Sequence, residues 1–429
     1  MRNILLTVAL ALQSVLFASC SFENKKEVHH AAFDGDIEHI RAYIAKGGPV
    51  DSLTTDGRSL LGAAAAGGHV ALMQYLIAQG ADEKILDDGE ALIHHATESK
   101  SVSAVKFLLE RGADVNAKPV GSGTTPLLLA VEELDEPMIA YLISKGAQVN
   151  LVDKHMGTPL NTAILYSHGY PNNSAQIFQV VKKLVEQGAD VNLTNASGST
   201  PLALAALTEH KQVIDYLVQK GADVAKRGED GHTAFSYAAG KANKALCEYF
   251  VKLGARPADR LDNGSTVLMY ALQSENIDFL RWLISQYKYN IQDRDTSGQT
   301  LLMYAVNKSL FTMRFVVNEL KMDVNAHDAS GVTPLMLAAR SLKLDKIKFL
   351  VEKGSQVNVQ DKEGLTPIIY IAQEAQVNDS GPANDEACYD AIEYLMEQGG
   401  RTDIKDKSGR SAVDYVKDKP FPDLIALVK

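Results

Sequence analysis

The chain has 429 residues, with 43 Lys and Arg against 53 Asp and Glu, a formal net charge of −10, and 46% hydrophobic but only 7% aromatic residues. This composition excludes a disordered or collagen-like chain, and the acidic balance removes a general electrostatic footing on phosphate backbones, so no nucleic-acid partner is expected. At roughly 150 residues per compact domain the length gives two or three domains, unless the chain repeats itself.

In chain order, Arg2 precedes an apolar run from Ile4 to Phe17 and then Ala18-Ser19-Cys20. The run is short for a bilayer span and reads as a secretory signal over residues 1–19. Its end resembles the lipobox of bacterial lipoproteins, in which the Cys becomes the first mature residue and carries acyl groups. On that resemblance Cys20 is the lipidation site, and Ser21, standing where Asp would favour inner-membrane retention, directs the protein to the outer membrane facing the periplasm. Phe17 departs from the Leu usual there, which leaves cleavage without lipidation as the alternative. Residues 20–26 form the lipid-anchored tether, whose last six residues reach at most ~20 Å. No other apolar run has membrane-spanning length, so the remainder is expected to be soluble and exported.

From residue 27 onward the chain repeats. A turn glycine, a spacer and a hydroxyl residue open an apolar stretch at Gly123-Thr124-Thr125-Pro126-Leu127, Gly198-Ser199-Thr200-Pro201-Leu202, Gly331-Val332-Thr333-Pro334-Leu335 and Gly364-Leu365-Thr366-Pro367-Ile368. With the hydroxyl position as origin, the series runs Ser59, Ala91, Thr125, Thr158, Thr200, Thr233, Thr266, Thr300, Thr333, Thr366 and Ser411, and eight of its ten steps lie within one residue of 33. Units close with Gly112-Ala113-Asp114-Val115-Asn116, Gly188-Ala189-Asp190-Val191-Asn192 or a variant. The physics of these letters is a Thr N-cap, a proline in the first helical position where its missing donor costs nothing, and a second helix ended by a left-handed glycine. Residues such as Leu202, Ala205 and Ala206 share one helical face, and small Ala lets helices approach closely.

The pattern is similar to the ankyrin repeat over residues 27–429. The resemblance implies an all-α solenoid of about twelve stacked repeats, each a helix-turn-helix with a β-hairpin-like finger, in a curved elongated array on the order of 110 Å long at ~10 Å per unit. The first unit, around Val28-His29-His30-Ala31-Ala32, and the last, from Ser411, read as end caps. Two longer steps place insertions between first and second helices at 166–176 and 373–387, either neutral surface loops or extensions of a docking surface. Tyr287 and Lys321 stand where the closing glycine is expected, so these two helices are predicted to run on or end differently. Cys247 and Cys388 lie four repeats apart, too far to form a disulfide, and Cys247 reads as a small buried hydrophobe.

The family commonly places a His after Thr-Pro-Leu that links neighbouring repeats. Only His94 keeps it; Leu128, Asn161, Ala203, Met269, Met303 and Met336 replace it, and apolar contacts are expected there instead. The methionines recur once per repeat and are too far apart to share an ion, and consecutive His94 and His95 point about 100° apart, so no metal is expected.

Four residues after the origin stands a row of Tyr237, Tyr270, Tyr304, Leu337, Tyr370 and Tyr415, about 150° from the buried centre of the first helix. Tyrosines on a rigid surface supply large, low-entropy contacts, so Tyr237, Tyr270, Tyr304 and Tyr370 are the candidate partner-binding residues. The alternative is bulky filler wedged between adjacent first helices. His-Glu-x-x-His, Gly-x-Ser-x-Gly, a phosphate loop and Cys-x-x-Cys are all missing, and repetition disfavours one converging pocket, so no catalytic residue, enzyme activity or cofactor is expected. The expected function is protein–protein interaction by an exported, monomeric, membrane-tethered array in the cell envelope that binds a partner protein on its concave face, toward which the tyrosine row is expected to point. Bacterial ankyrin lipoproteins that look like this include immunity proteins neutralising lipase-type toxins; an envelope scaffold that organises other periplasmic proteins is the alternative.

Overall fold

A computed structural model describes residues 25–54, 57–121, 123–155, 157–165, 173–228, 230–375, 377–378, 381–382, 385–419 and 421–429. The signal segment, Cys20 and residues 166–172 of the first insertion lie outside the described residues. The described residues contain 24 α-helices in twelve consecutive pairs.

The chain divides into two compact units, one ending at Gly228 and one beginning at Glu229. The first holds six pairs: Lys25–Asp34 with Ile37–Ala45, Leu60–Ala66 with Val70–Ala78, Leu92–Glu98 with Val102–Glu110, Pro126–Glu132 with Glu136–Ser144, Pro159–Leu165 with Ser174–Glu186, and Pro201–Leu207 with Lys211–Gln219. The second holds six more: Ala234–Gly240 with Lys244–Lys252, Val267–Ala271 with Ile277–Tyr287, Leu301–Val306 with Leu310–Arg314, Pro334–Arg340 with Leu344–Glu352, Pro367–Glu374 with Asp385–Glu397, and Ala412–Val416 with Pro422–Val428. Each unit is an all-α solenoid of repeats.

The N-caps explain where first helices start. Thr125, Thr200, Thr333 and Thr366 adopt extended backbone, and each hydroxyl accepts the N–H three residues on at 3.2–3.4 Å. Proline follows each of them in the first turn, where it leaves no donor unsatisfied. Most of these helices have only seven residues or fewer, too short to persist alone in water. Burial holds them: Pro201 to Ala206 are all buried, with Ala203, Ala205 and Ala206 fully so. Second helices bury one face and solvate the other, as Lys211–Gln219 does through Val213, Ile214, Tyr216 and Leu217.

Gly221 ends that helix at φ +89°, and the next N–H, of Ala222, returns to Leu217 O at 2.9 Å. Within each of the two units, the closing asparagines tie repeat to repeat. Asn192 donates to Gly221 O at 3.1 Å and accepts from Asp223 N at 2.8 Å; Asn116, Asn150, Asn325 and Asn358 repeat both bonds. Each amide thus satisfies one carbonyl just past a helix end and one loop N–H of the next repeat. Fingers are short antiparallel pairings, such as Leu86–Asp87 with Glu90–Ala91 and the bridges Arg260 to Thr266 and Arg294 to Thr300.

Several expectations are corrected. The first helix begins at Lys25, so Lys25 and Lys26 belong to the repeat and not to the tether. Ser174 to Gln176 and Asp385 to Ala387, read as insertion loops, are the opening turns of 13-residue second helices. The Gln176 side chain donates to Leu134 O at 2.9 Å, which anchors that extra turn to the preceding repeat. Within the second insertion Val377–Asn378 pairs with Gly381–Pro382.

The left-handed residue of the eighth unit is Lys288, at φ +53°, not Tyr287. Most of the left-handed residues that close second helices stand twelve places before the following N-cap, as Gly221 does before Thr233, and Lys288 keeps that distance from Thr300 although the step from Thr266 to Thr300 is one residue longer. Tyr287 instead packs edge-on against Phe235 and Trp282 at 5.5 and 5.6 Å. In the ninth unit the helix widens into a π turn over Phe315–Glu319, and Lys321 itself takes φ +55°. A left-handed lysine costs about 1–2 kcal/mol that glycine avoids. Lys288→Gly and Lys321→Gly are therefore each expected to stabilise the protein by about 1 kcal/mol in urea unfolding, whereas Tyr287→Gly lowers stability by removing the ring contacts.

Candidate interaction face

In the carboxy-terminal unit the residues four places after the N-caps are Tyr237, Tyr270, Tyr304, Leu337, Tyr370 and Tyr415. Tyr237, Tyr270, Tyr304 and Tyr415 are half-buried; Tyr370 and Leu337 are 8% and 9% exposed. Their hydroxyls divide them into two groups.

Asp295, Asp361 and Asp406 open finger turns nine residues before Tyr304, Tyr370 and Tyr415. One oxygen of each carboxylate shapes the turn: Oδ1 of Asp295 accepts from the N–H groups of Ser297 and Gln299, that of Asp361 from Glu363 and Leu365, and that of Asp406 from Ser408 and Arg410, all at 2.8–2.9 Å. The other oxygen accepts the tyrosine hydroxyl, at 2.8 Å from Tyr304 and from Tyr370, and likewise from Tyr415. The phenol is thus a rivet between first helix and finger. Burial, reinforced by Asp295, pushes the Tyr304 phenol up to about 12; Tyr370 and Tyr415 move the same way, again by burial first and then by their carboxylates. Burial works against Asp406, but the Tyr415 hydroxyl, two N–H groups and Arg410 together hold it below its usual range.

Tyr237 and Tyr270 have Gly228 and Leu261 at the place of the aspartate. Their rings gather on His232 instead: His232 stacks on Tyr237 with centroids 4.9 Å apart and meets Tyr270 at 4.2 Å, and the two tyrosines lie edge to face at 6.2 Å. The His232 Nδ1 and the Ser236 hydroxyl are 3.1 Å apart. Burial lowers the His232 pKa against the opposing pull of Asp230 and Asp262. Gly240 makes the crossing possible, because a Cβ there would come within 2.5 Å of the Tyr270 ring and 2.1 Å of the Gln273 amide.

The fingers are also tied sideways. Thr296, Ala329, Lys362 and Lys407 donate N–H to the preceding finger's carbonyls at Asn263, Ser297, Ser330 and Glu363, at 2.8–2.9 Å. Arg260 spans Gly264 O and Arg294 O at 2.8 and 3.0 Å, and Arg294 repeats this on Gly298 O and His327 O at 2.7 and 2.6 Å. First helices and fingers therefore form one cross-braced surface within this unit. The sequence singles out the tyrosines as contact surface but not their aspartate partners, although the nine-residue Asp-to-Tyr spacing recurs at Asp295, Asp361 and Asp406.

In the amino-terminal unit the equivalent His95 is 3% exposed, with its Nε2 3.7 Å from Asp87 and its Nδ1 3.6 Å from both Glu90 and Glu98. The inter-repeat link survives at His94, whose ring nitrogens lie 3.0 Å from Ala91 O and Ala117 O. It also survives at Asn161, against expectation, because the Nδ2 group reaches Leu193 O at 3.1 Å. Met269, Met303 and Met336 are buried, and the last two place sulfur 3.4 Å from the N–H of Thr300 and Thr333. Cys247 and Cys388 are buried and not joined by a disulfide, and burial pushes the Cys247 thiol up to about 12. Among the described residues no group of three or more His, Cys, Asp or Glu is placed to hold a metal, and no helix is long and apolar enough to cross a membrane.

Tyr304→Phe tests the rivet. Losing one hydrogen bond to a carboxylate is expected to cost about 1–2 kcal/mol at neutral pH. The phenol's pKa is higher in the folded chain than its unfolded value of about 10, so its contribution is whole below pH 10 and is lost as pH rises through about 12. Urea unfolding at a series of alkaline pH values is expected to show a shallower decline for the variant.

The family of ankyrin repeats in three copies matches residues 28–119, 172–260, 253–328 and 311–408, and the single ankyrin repeat matches residues 122–154. Among solved structures, the crystal structure of the human ASB11 ankyrin repeat domain is 29% identical over an alignment that covers 54% of this chain and 99% of that one, with a TM-score of 0.45. No curated protein matches. The family matches span well over half of the residues, and the chain belongs to the ankyrin-repeat family, whose repeats form protein–protein interaction modules.

Proposed function

We propose that this protein is an exported, monomeric ankyrin array, anchored in the cell envelope through lipid on Cys20, that grips a partner protein on the face built from its first helices and fingers. The observation that carries the reading is the row of half-buried aromatic rings at Tyr237, Tyr270 and Tyr304, continued by Tyr370, on helices that are capped and braced in place. Pre-positioned aromatic side chains lose little entropy on binding, which is why they concentrate affinity. Anchoring rests on the lipobox resemblance at Ala18-Ser19-Cys20, and outer-membrane placement facing the periplasm rests on Ser21. In cellular terms the partner is a lipase-type toxin effector that this immunity protein neutralises, a reading supported by the resemblance to bacterial ankyrin lipoproteins.

Affinity capture from solubilised membranes, with the wild-type chain and a variant carrying Tyr237→Ala, Tyr270→Ala, Tyr304→Ala and Tyr370→Ala, tests the face. The wild type is expected to retain a partner that the variant loses; equal capture by a folded variant contradicts it. Cys20→Ala is expected to move the protein from the membrane to the soluble fraction. Deleting the gene is expected to sensitise cells to siblings that carry the adjacent effector gene, and unchanged resistance rules out the immunity role.

A further inference from the structure

The last Tyr–Asp pair of the array carries a cation of its own. The Arg410 guanidinium lies over the Tyr415 ring, 4.5 Å from its centroid, while its Nε and Nη2 each approach Asp406 Oδ2 at 3.3 Å. Ring face and carboxylate together are what a guanidinium prefers: a π surface for its plane and an anion for its N–H groups. Arg410 occupies the position just before the N-cap Ser411. At the matching position before Thr300 stands Gln299, and before Thr366 stands Leu365.

Tyr304 and Asp295 reproduce the geometry of Tyr415 and Asp406 bond for bond. The Tyr304 ring and Asp295 are both half-buried, so they remain reachable, whereas the Tyr370 ring is almost covered and Arg340 already acts on its phenol. The Tyr304 hydroxyl donates to Asp295 and lies 3.5 Å from the Asn263 amide, and among the described residues no lysine or arginine lies over its ring. Both carboxylate oxygens accept hydrogen bonds, and among the described residues Asp295 makes no ion pair.

We propose that Tyr304 and Asp295 form a seat for a basic side chain of the partner, arginine in preference to lysine, with Arg410 on Tyr415 and Asp406 as the internal precedent. This rests on the reading that the face binds a protein, and it adds what that protein must present: an exposed arginine that reaches the finger edge between Tyr270 and Tyr304. Arginine is favoured because only a planar guanidinium can lie on the ring while donating to the carboxylate.

The test is fluorescence anisotropy of the full chain with a labelled peptide of alternating arginine and glycine, and with the same peptide carrying neutral citrulline. The arginine peptide is expected to bind about tenfold more tightly than the citrulline peptide, with affinity falling as salt rises. Asp295→Asn keeps an oxygen for the turn but removes the charge, and is expected to weaken binding about tenfold. Gln299→Arg leaves Asp295 and Tyr304 intact and is expected to weaken binding as much, by filling the seat from within. Arg410→Gln is expected to add a second site. Equal affinity for the two peptides, or indifference to both Asp295→Asn and Gln299→Arg, overturns the proposal. The captured partner separates this from the broader reading. A partner lost on tyrosine substitution yet unaffected by Asp295→Asn and Gln299→Arg overturns the arginine seat and leaves the interaction face standing. A partner indifferent to the tyrosines overturns both.

Discussion

The structure depends on burial of helices too short to exist alone. A seven-residue helix such as Pro201–Leu207 spends most of its backbone on end groups that lack intrahelical partners. Its persistence comes from packing against flanking helices and from side chains of adjacent repeats that collect its loose ends. Lys346 shows the principle at its most demanding. This lysine is 8% exposed, and its ammonium donates to Val306 O at 2.7 Å and to Lys308 O, carbonyls at the end of the preceding first helix. Burial lowers its pKa, and the negative end of the helix compensates. Elsewhere the same duty falls to His69 on Phe33 O and to Gln176 on Leu134 O. Each repeat is therefore completed by its neighbour.

That dependence shapes the surface available for function. The second helices supply amphipathic cover, and the first helices contribute only the one or two positions that stacking leaves uncovered. In the carboxy-terminal unit tyrosine occupies most of them, and its hydroxyl is turned onto finger carboxylates at Asp295, Asp361 and Asp406. At Tyr304 and Tyr415 the hydroxyl thereby fixes the finger while the ring stays half-buried, whereas at Tyr370 the ring is covered as well. Of the two readings of the stripe offered by the sequence, the hydrogen bonds to finger carboxylates favour a constructive role, and the contact surface belongs to the proposed function.

Much of the fold was legible because its determinants are local. The Thr-Pro openings, the closing glycines and the period of about 33 each report a backbone requirement that one residue type meets best. The deviations were less legible because they are settled by packing. Lys288 takes the left-handed position one residue later than spacing suggested, since Tyr287 gains ring contacts with Phe235 and Trp282 by remaining helical. Asn161 replaces the linking histidine because an amide also reaches a neighbouring carbonyl, which a reading based on the family letter overlooked. The insertions hid helical turns, as nothing in Ser174-Ala175-Gln176 separates a loop from a helix start until Gln176 finds Leu134. On the candidate face the tyrosines stand out by their period, whereas their aspartate partners emerge only once helix and finger are folded against each other.

The proposed interaction face places partner contact on first helices and fingers and spares second helices. Hydrogen exchange of the full chain, with and without the captured partner, measures this directly. Slowed exchange at residues 260–274 and 294–308, with unchanged rates in Lys244–Lys252 and Leu344–Glu352, is the predicted result. Protection concentrated in those second helices, with the fingers unaffected, would contradict it.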